Sequence, residues 1–318
     1  MPLQQGMGGP PVPRPWLCGV LSAISLAGVV PAASAADDTA PGAEVQCPTG
    51  TAVTSGPPSS ELFDDHPRFK VHAVWCERYA DDGGQATRHG PYVDYYPGGA
   101  LRARANFVND VLEGPFVSHH ESGLVWTRGT FLHGHLEGRY QMWNPSGSRW
   151  MEGQFRQGEL DGVYLTWHEN GSRASETSYR NGIEDGISRI WYVNGQTKVS
   201  LRAVDGVWSG PFQRWHPNGR PSEQGAYARC PPERSDVASC ATLGAAPHGP
   251  WKYWHESGVL AREGSWQLGR RAGSWSYWDD HGKPVMVEQY VDGVLAGVDG
   301  RPTGPVPASP GLPDGALD

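Results

Sequence analysis

The glycine and aromatic positions of this chain recur at a constant interval. Eight copies of one pattern follow one another with the same step, and only the step from Gly210 to Gly249 is longer. A closing glycine follows each opening glycine at a fixed distance, as Gly99 follows Gly90. The opening glycines are Gly90, Gly114, Gly138, Gly162, Gly186, Gly210, Gly249 and Gly273. This period indicates a repeat architecture in which each unit buries its apolar face against its neighbours.

Three apolar columns accompany the glycines, and in the first copy they are represented by Tyr92, Tyr95 and Phe107. We call them, in this order, the first column, the Trp column and the third column. The six tryptophans of the Trp column are Trp143, Trp167, Trp191, Trp215, Trp254 and Trp278. We predict that they form the repeat core, because each hairpin must bury its largest apolar groups; the alternative is a ligand platform. The first column and the Trp column differ in strand parity, so either both faces carry aromatic residues or a bulge separates the columns.

Each copy predicts two short strands rich in aromatic and β-branched residues. Asn-Gly and Ser-Gly pairs lie between them, and Asn-Gly suits a tight hairpin with positive φ at both central positions. A second glycine column after the third column marks the turn to the next hairpin. Frequent Gly and Pro exclude a helix in this region. The predicted fold is all-β, an elongated array of about eight β-hairpins that forms a twisted antiparallel sheet.

The 24-residue unit, with Gly-x-aromatic-x-x-Trp, an Asn-Gly turn and a downstream Tyr-x-x-Gly, resembles the MORN-repeat variant of bacterial YwqK-like proteins over residues 90 to about 293. Such proteins are often classified as antitoxins. The resemblance implies a scaffold of hairpins and defines no catalytic residues. Copies 2 and 5 depart from the pattern with His119, Ser188 and Ala203 in the apolar columns, and we expect them to be the thinnest parts of the core.

The segments around the array predict export. Arg14, a short apolar run and Ala-Ser-Ala at 33–35 are typical of a secretory signal peptide. No other apolar run approaches the length of a membrane span, so none is predicted in the mature chain. The predicted organisation is a signal peptide at 1–35, a flexible arm at 36–67, a capping strand region at 68–89, the array at 90–296 with an insertion at 231–245, and a disordered tail at 297–318.

Four cysteines remain after the predicted signal peptide, and an even number in an exported protein indicates disulfides. Three pairings are possible. We favour Cys47–Cys76 and Cys230–Cys240, because Cys230 stands where the insertion begins and Cys240 would close it. A metal site is the alternative, but no Cys-x-x-Cys or suitable His spacing supports it.

A polar column follows the Trp column, and its histidines and tyrosines are candidate binding residues. They are Tyr96, His120, His168, Tyr192, His216 and His255. Equivalent residues of adjacent copies would lie roughly 10 Å apart, two strand spacings, which is too far to share one metal ion. We therefore favour a polar role at strand ends. No catalytic or phosphate-binding motif is present, and we expect no enzyme activity, metal or cofactor.

The net charge of −8 and the absence of a Lys/Arg block argue against nucleic acid as a partner. The leading hypothesis is an exported, non-enzymatic scaffold or binding module at the cell envelope, most simply for another protein. One alternative is an antitoxin-like or immunity protein that covers its partner. Another is a binder of cell-envelope glycans, or a hydrolase that acts on them. The oligomeric state does not follow from the sequence.

Overall fold

The computed structural model describes residues 45–56, 72–79, 84–233 and 236–299. These residues form one long, open antiparallel sheet, which confirms the all-β prediction. Its strands are β1 (Ala52–Gly56), β2 (His72–Arg78), β3 (Thr87–Tyr95), β4 (Leu101–Val108), β5 (Val111–Leu112), β6 (Gly114–His119), β7 (Val125–Leu132), β8 (His135–Leu136), β9 (Gly138–Trp143), β10 (Arg149–Arg156), β11 (Glu159–Trp167), β12 (Arg173–Arg180), β13 (Ile183–Trp191), β14 (Thr197–Val204), β15 (Val207–Trp208), β16 (Gly210–Trp215), β17 (Pro221–Arg229), β18 (Ala245–Pro247), β19 (Gly249–Trp254), β20 (Leu260–Gln267), β21 (Arg270–Trp278), β22 (Pro284–Val291) and β23 (Val294–Asp299). One short helix, α1 (Ala238–Leu243), lies between β17 and β18.

The turn within each copy, at the closing glycine, and the turn between copies differ in backbone geometry from the sequence prediction. At the closing glycine only the glycine has positive φ, as at Gly171 (81°), and the Asn170 side chain accepts a hydrogen bond from the Ser172 amide at 3.0 Å. Paired positive φ values occur instead in the turns between copies, as at Gln157 (51°) and Gly158 (83°). The expected Asn-Gly geometry is therefore wrong: a turn followed by a bulge needs one left-handed residue, and the asparagine caps the turn.

The core lies on one face of the sheet, here called the inner face, and is built from the first and third columns. Rings of these two columns meet edge to face within a copy, as in Tyr140 and Phe155, whose centroids are 5.8 Å apart at 82°. Trp251 and Trp275, both in the first column, are almost fully buried. The first column is Tyr92, Phe116, Tyr140, Tyr164, Ser188, Phe212, Trp251 and Trp275, and the third column is Phe107, Phe131, Phe155, Tyr179, Ala203, Tyr227, Trp266 and Tyr290.

A further set of glycines, each two positions before the third column, makes room for these rings. A Cβ atom on Gly129 would lie 2.7 Å from Cδ2 of Tyr140, the first-column ring of the next copy. Gly225 and Gly264 lie still closer beneath the indoles of Trp251 and Trp275. The backbone of one copy is therefore the floor on which the next aromatic side chain lies, and a side chain at these positions would displace it. We call these residues the floor glycines.

Copy 5 solves the same packing problem with small polar groups. Thr177 takes the place of the floor glycine in copy 4, and the facing first-column residue is Ser188; their hydroxyls lie 3.0 Å apart, and both side chains are buried. Ala203, at only 1% exposure, completes this narrow part of the core. The expectation that copy 5 carries little aromatic packing therefore has a local cause, a matched Thr–Ser pair.

The ends of the array differ in detail from the predicted boundaries. β1 lies within the segment predicted to be a flexible arm, and it pairs with β2. β2 lies in the predicted capping region and pairs with β3, the first strand of the array. A disulfide joins Cys47 to Cys76, with Cα atoms 5.5 Å apart, and attaches the chain before β1 to β2. β23 extends beyond the predicted end of the array and continues the sheet to Asp299. The predicted signal peptide lies outside the described residues.

The described part of the insertion packs against the turn that ends copy 7. Cys230 and Cys240 form the second disulfide, the other favoured pairing, with Cα atoms 5.5 Å apart. Val237, Cys240 and Ala246 make a small buried cluster beside Gly269, the turn glycine of copy 7. α1 departs from the prediction that this region contains no helix, because the segment around Cys240 lies outside the strands and can close one helical turn without interrupting the sheet.

Candidate binding surface

The Trp column lies on the face of the sheet opposite the core, here called the outer face. Residues alternate in direction along a strand, so Trp254 and Trp278 point away from their buried or half-buried neighbours Tyr253 and Tyr277. All six tryptophans of the column are partly exposed. In the described residues, none of them belongs to a buried apolar cluster. The prediction that the Trp column forms the core is thus corrected: strand parity gives that role to the first column.

Arginines cover two of these indoles. The Arg149 guanidinium lies 5.0 Å from the ring centre of Trp167, and that of Arg173 lies 5.7 Å from the ring centre of Trp191. Each arginine belongs to the copy before its tryptophan. Such cation–π contacts hold planar groups in a defined orientation at the surface.

Carboxylates bind the same arginines and their neighbours. Glu152 forms ion pairs with Arg139 at 2.8 Å and Arg149 at 3.5 Å, and Glu176 pairs with Arg173 at 2.6 Å. Partial burial opposes ionisation of Glu152, but its bonds to Arg139 and Gln141 outweigh this effect, and its pKa lies below the ordinary value. The outer face of copies 3 to 5 therefore presents charged groups and indoles that are already held in place.

The polar column has a structural task. His168 donates a hydrogen bond from Nε2 to the backbone carbonyl of Trp191 at 3.0 Å, and the Tyr192 hydroxyl donates to the carbonyl of Trp215 at 2.8 Å. The six bonds of this kind run from Tyr96 to His119, His120 to Trp143, His168 to Trp191, Tyr192 to Trp215, His216 to Trp254 and His255 to Trp278. Each candidate binding residue thus ties the end of one hairpin to the next, and the structure does not gather them around one ligand.

A second ladder, missed in the sequence, runs beside the first. The Asn170 amide donates to the carbonyl of Val193 at 3.0 Å, and the Asn194 amide donates to that of Pro217 at 2.7 Å. Asn218 makes the equivalent bond to Glu256. The available signal was the recurrence of Asn at one repeat position, which turn formation alone also explains.

A groove opens on the outer face where copies 6 and 7 meet. Its volume is about 560 Å³. β17 forms the floor, with β16 and β19 on either side. Its lining includes Pro211, Gln224, Ala226, Pro250, Lys252 and Trp254. It combines an indole and two prolyl rings with an amide and an ammonium group, a composition suited to a ligand with both apolar and hydroxyl surfaces.

Comparison with known proteins agrees with this architecture. The MORN repeat variant family matches residues 88–109, 160–181 and 247–267. The chain contains MORN-variant repeats. Its described copies between these matches share the same hairpins and columns, so the repeat extends through the array. No curated protein matches the chain.

One similar solved structure is a porin-like protein from Bacteroides uniformis ATCC 8492, with 10% sequence identity over 77% of this chain and 92% of that chain. The TM-score is 0.16, and the likeness carries no argument. In the described part of this MORN-repeat protein, no helix has the length and apolar character needed to cross a membrane. The same residues contain no cluster of three or more His, Cys, Asp or Glu side chains that could hold a metal ion.

Proposed function

We propose that this MORN-repeat protein is an exported, non-enzymatic scaffold that binds another protein at the cell envelope through its outer face. The observation that carries the proposal is the row of partly exposed tryptophans outside the core. Burying large rings stabilises a fold, and a chain that leaves six of them at one repeat position on the surface presents a regular apolar surface for a partner.

Copies 3 to 5 have the composition of a protein interface. Tryptophan and arginine are enriched among residues that dominate binding energy. Trp167 and Trp191 are stacked with arginines whose charges are paired with Glu152 and Glu176. Because these groups are oriented before binding, less side-chain entropy is lost when a partner covers them.

The disulfides support an extracytoplasmic location. Two disulfides indicate an oxidising compartment, since thiols remain reduced in the cytosol. We propose the periplasm, the cell surface or the medium as the destination, in line with the signal peptide predicted at 1–35.

The test is affinity capture of envelope proteins on the immobilised mature chain. The variant Trp167→Ala/Trp191→Ala should lose the captured protein while its melting temperature stays close to that of the wild type, because neither ring belongs to the buried clusters. Trp278→Ala, from the same column but outside copies 3 to 5, is the matched control and should retain capture. Undiminished capture by the double variant would refute the proposal, and so would a large loss of stability.

A further inference from the structure

The groove between copies 6 and 7 has a small residue, Ala226, in its lining. The equivalent position is Gln154 in copy 3 and Arg202 in copy 5, and it is a serine in copies 4 and 7. Pro211 pairs with Ala226 in the sheet register, and Pro250 is the second residue of β19 on the other side. Two compact prolyl rings and an alanine therefore line the depression.

Polar groups close the groove at one side. Gln224 and Lys252 are direct partners in the register of β17 and β19. Lys252 lies 3.4 Å from Glu263, so the charge at this rim is balanced. The Gln224 amide offers hydrogen bonds that a purely apolar ligand cannot use, whereas a phosphate would approach the Glu263 carboxylate. A neutral ligand with hydroxyl groups meets both conditions.

Trp254 supplies the stacking surface. Its ring is partly exposed and lines the groove beside Pro250. The C–H face of a pyranose ring packs on an indole, and its equatorial hydroxyls then point sideways toward donors such as Gln224 and Lys252. Few other neutral, hydroxyl-rich ligands present one apolar face and a polar edge in this way.

The repeat spacing extends the match beyond one sugar. Trp215 and Trp278 flank Trp254 in the Trp column, each one copy away and therefore roughly 10 Å distant, two strand spacings. In an extended β-1,4-linked glycan, rings of the same orientation recur every second residue at a comparable interval. We propose that this groove binds a neutral β-1,4-linked glycan that crosses the strands, with Trp254 as the stacking platform and Gln224 and Lys252 as hydroxyl ligands.

This proposal rests on a different part of the outer face from the protein-binding surface of copies 3 to 5, and the two can fail separately. The test is calorimetric titration of the full mature chain with cellohexaose and chitohexaose, accompanied by tryptophan fluorescence. Insoluble peptidoglycan in a sedimentation assay distinguishes a cell-wall source from other glycans. We expect saturable binding of at least one hexasaccharide.

Three variants at the groove and one control test the site. Trp254→Ala should weaken binding about tenfold, equivalent to about 1.4 kcal/mol, and Trp254→Phe should recover most of the affinity because an aromatic face remains. Gln224→Ala should weaken binding without changing the fold. Trp191→Ala, in the same column but covered by Arg173, should bind as the wild type does.

The absence of saturable binding to either hexasaccharide would overturn the proposal. Wild-type affinity of Trp254→Ala, Trp254→Phe and Gln224→Ala alike would also overturn it. If Trp254→Ala does not fold, Gln224→Ala still decides the result, because a site elsewhere would leave this variant at wild-type affinity. Capture of an envelope protein that survives Trp254→Phe and Gln224→Ala would leave the proposed scaffold function intact.

Discussion

Gly225 lies directly beneath the indole of Trp251, and replacing it with alanine should destabilise the array. A Cβ atom at this position would lie well inside van der Waals contact with Cδ2 of the indole. Trp251 is 2% exposed and stacks on Phe212, with ring centres 5.6 Å apart. The ring therefore has no free space into which it can move, and the added methyl group must shift either the indole or the strand.

The magnitude follows from two costs and one gain. Overpacking a well-filled core costs about 1–3 kcal/mol. Tilting the indole also strains its hydrogen bond from Nε1 to the carbonyl of Ala226, 3.2 Å long, and such a bond contributes about 1 kcal/mol. Restriction of the unfolded chain by alanine returns about 0.4–1 kcal/mol. Together these terms predict a net loss of about 1–4 kcal/mol in the free energy of unfolding of the copies around Gly225.

The assay is urea unfolding followed by far-ultraviolet and near-ultraviolet circular dichroism, the latter reporting on the packed indoles. Gly297→Ala is the matched control: this glycine lies in a strand with nothing within 4 Å of a new Cβ atom, so its replacement should change stability by less than about 0.5 kcal/mol. If repeats unfold in separate steps, the step that carries the near-ultraviolet signal is compared.

A double-mutant cycle separates the clash from a general loss of packing. Trp251→Ser alone should cost about 3–5 kcal/mol, the range for removal of a large buried aromatic ring. Adding Gly225→Ala to it should cost little more, because the ring that clashes is gone, as in the natural Thr177–Ser188 pair. Wild-type stability and an unchanged near-ultraviolet spectrum of Gly225→Ala would show that the rings do not pack on the preceding glycine. The same conclusion would follow if the double variant lost the sum of the two single-variant losses in stability.

Two further predictions concern the cysteines and the tyrosines. The mature chain, denatured without reductant, should show no reactive thiol by colorimetric assay, because its four cysteines form two disulfides; two or more thiols would contradict the pairing. Burial raises the pKa of Tyr179 and of Tyr253 to about 12, above about 10 in an unfolded chain. The folded state therefore holds these protons more tightly, and the stability that they contribute is complete below about pH 10 and is lost as the pH rises toward about 12. Burial also raises the pKa of Tyr227 and of Tyr277. Spectrophotometric titration should therefore show at least four tyrosines that ionise late; ionisation of all tyrosines near their ordinary pKa with the fold intact would show that these rings are exposed.

The period, the hairpins and the disulfides could be predicted because each depends on local rules. A turn needs glycine at a left-handed position, and glycines at fixed intervals therefore mark the hairpins. Cys230 replaces a glycine of the second glycine column, and this substitution in the pattern is enough to place the insertion at a turn. The opposite parity of the first column and the Trp column was also visible in the sequence.

The sequence did not show which of the two faces is buried, because burial depends on which aromatic column can pack on the backbone of the preceding copy. The floor glycine forms part of the opposing strand and supports the ring of the following copy, as Gly264 does for Trp275. Among the described glycines, none has an indole of the Trp column as the nearest neighbour of an added Cβ atom. The same reasoning applies to the polar column, whose bonds to the next copy depend on the distance between neighbouring hairpins and not on any property of histidine that the sequence displays.

The separation of the two faces has a consequence for how such an array can acquire function. Stability depends on the inner face, where each ring must fit the glycine or threonine of the copy before it, so that substitutions there are coupled in pairs, as Thr177 is to Ser188. The outer face is less constrained, because its tryptophans lie outside the buried clusters and its ion pairs are partly exposed, although Arg149 and Trp167 also couple neighbouring copies there. Copies 3 to 5 and the groove at Ala226 can therefore differ in chemistry while the sheet beneath them stays the same. A binding surface on this fold can change one copy at a time, provided that the new side chain leaves the inner register untouched.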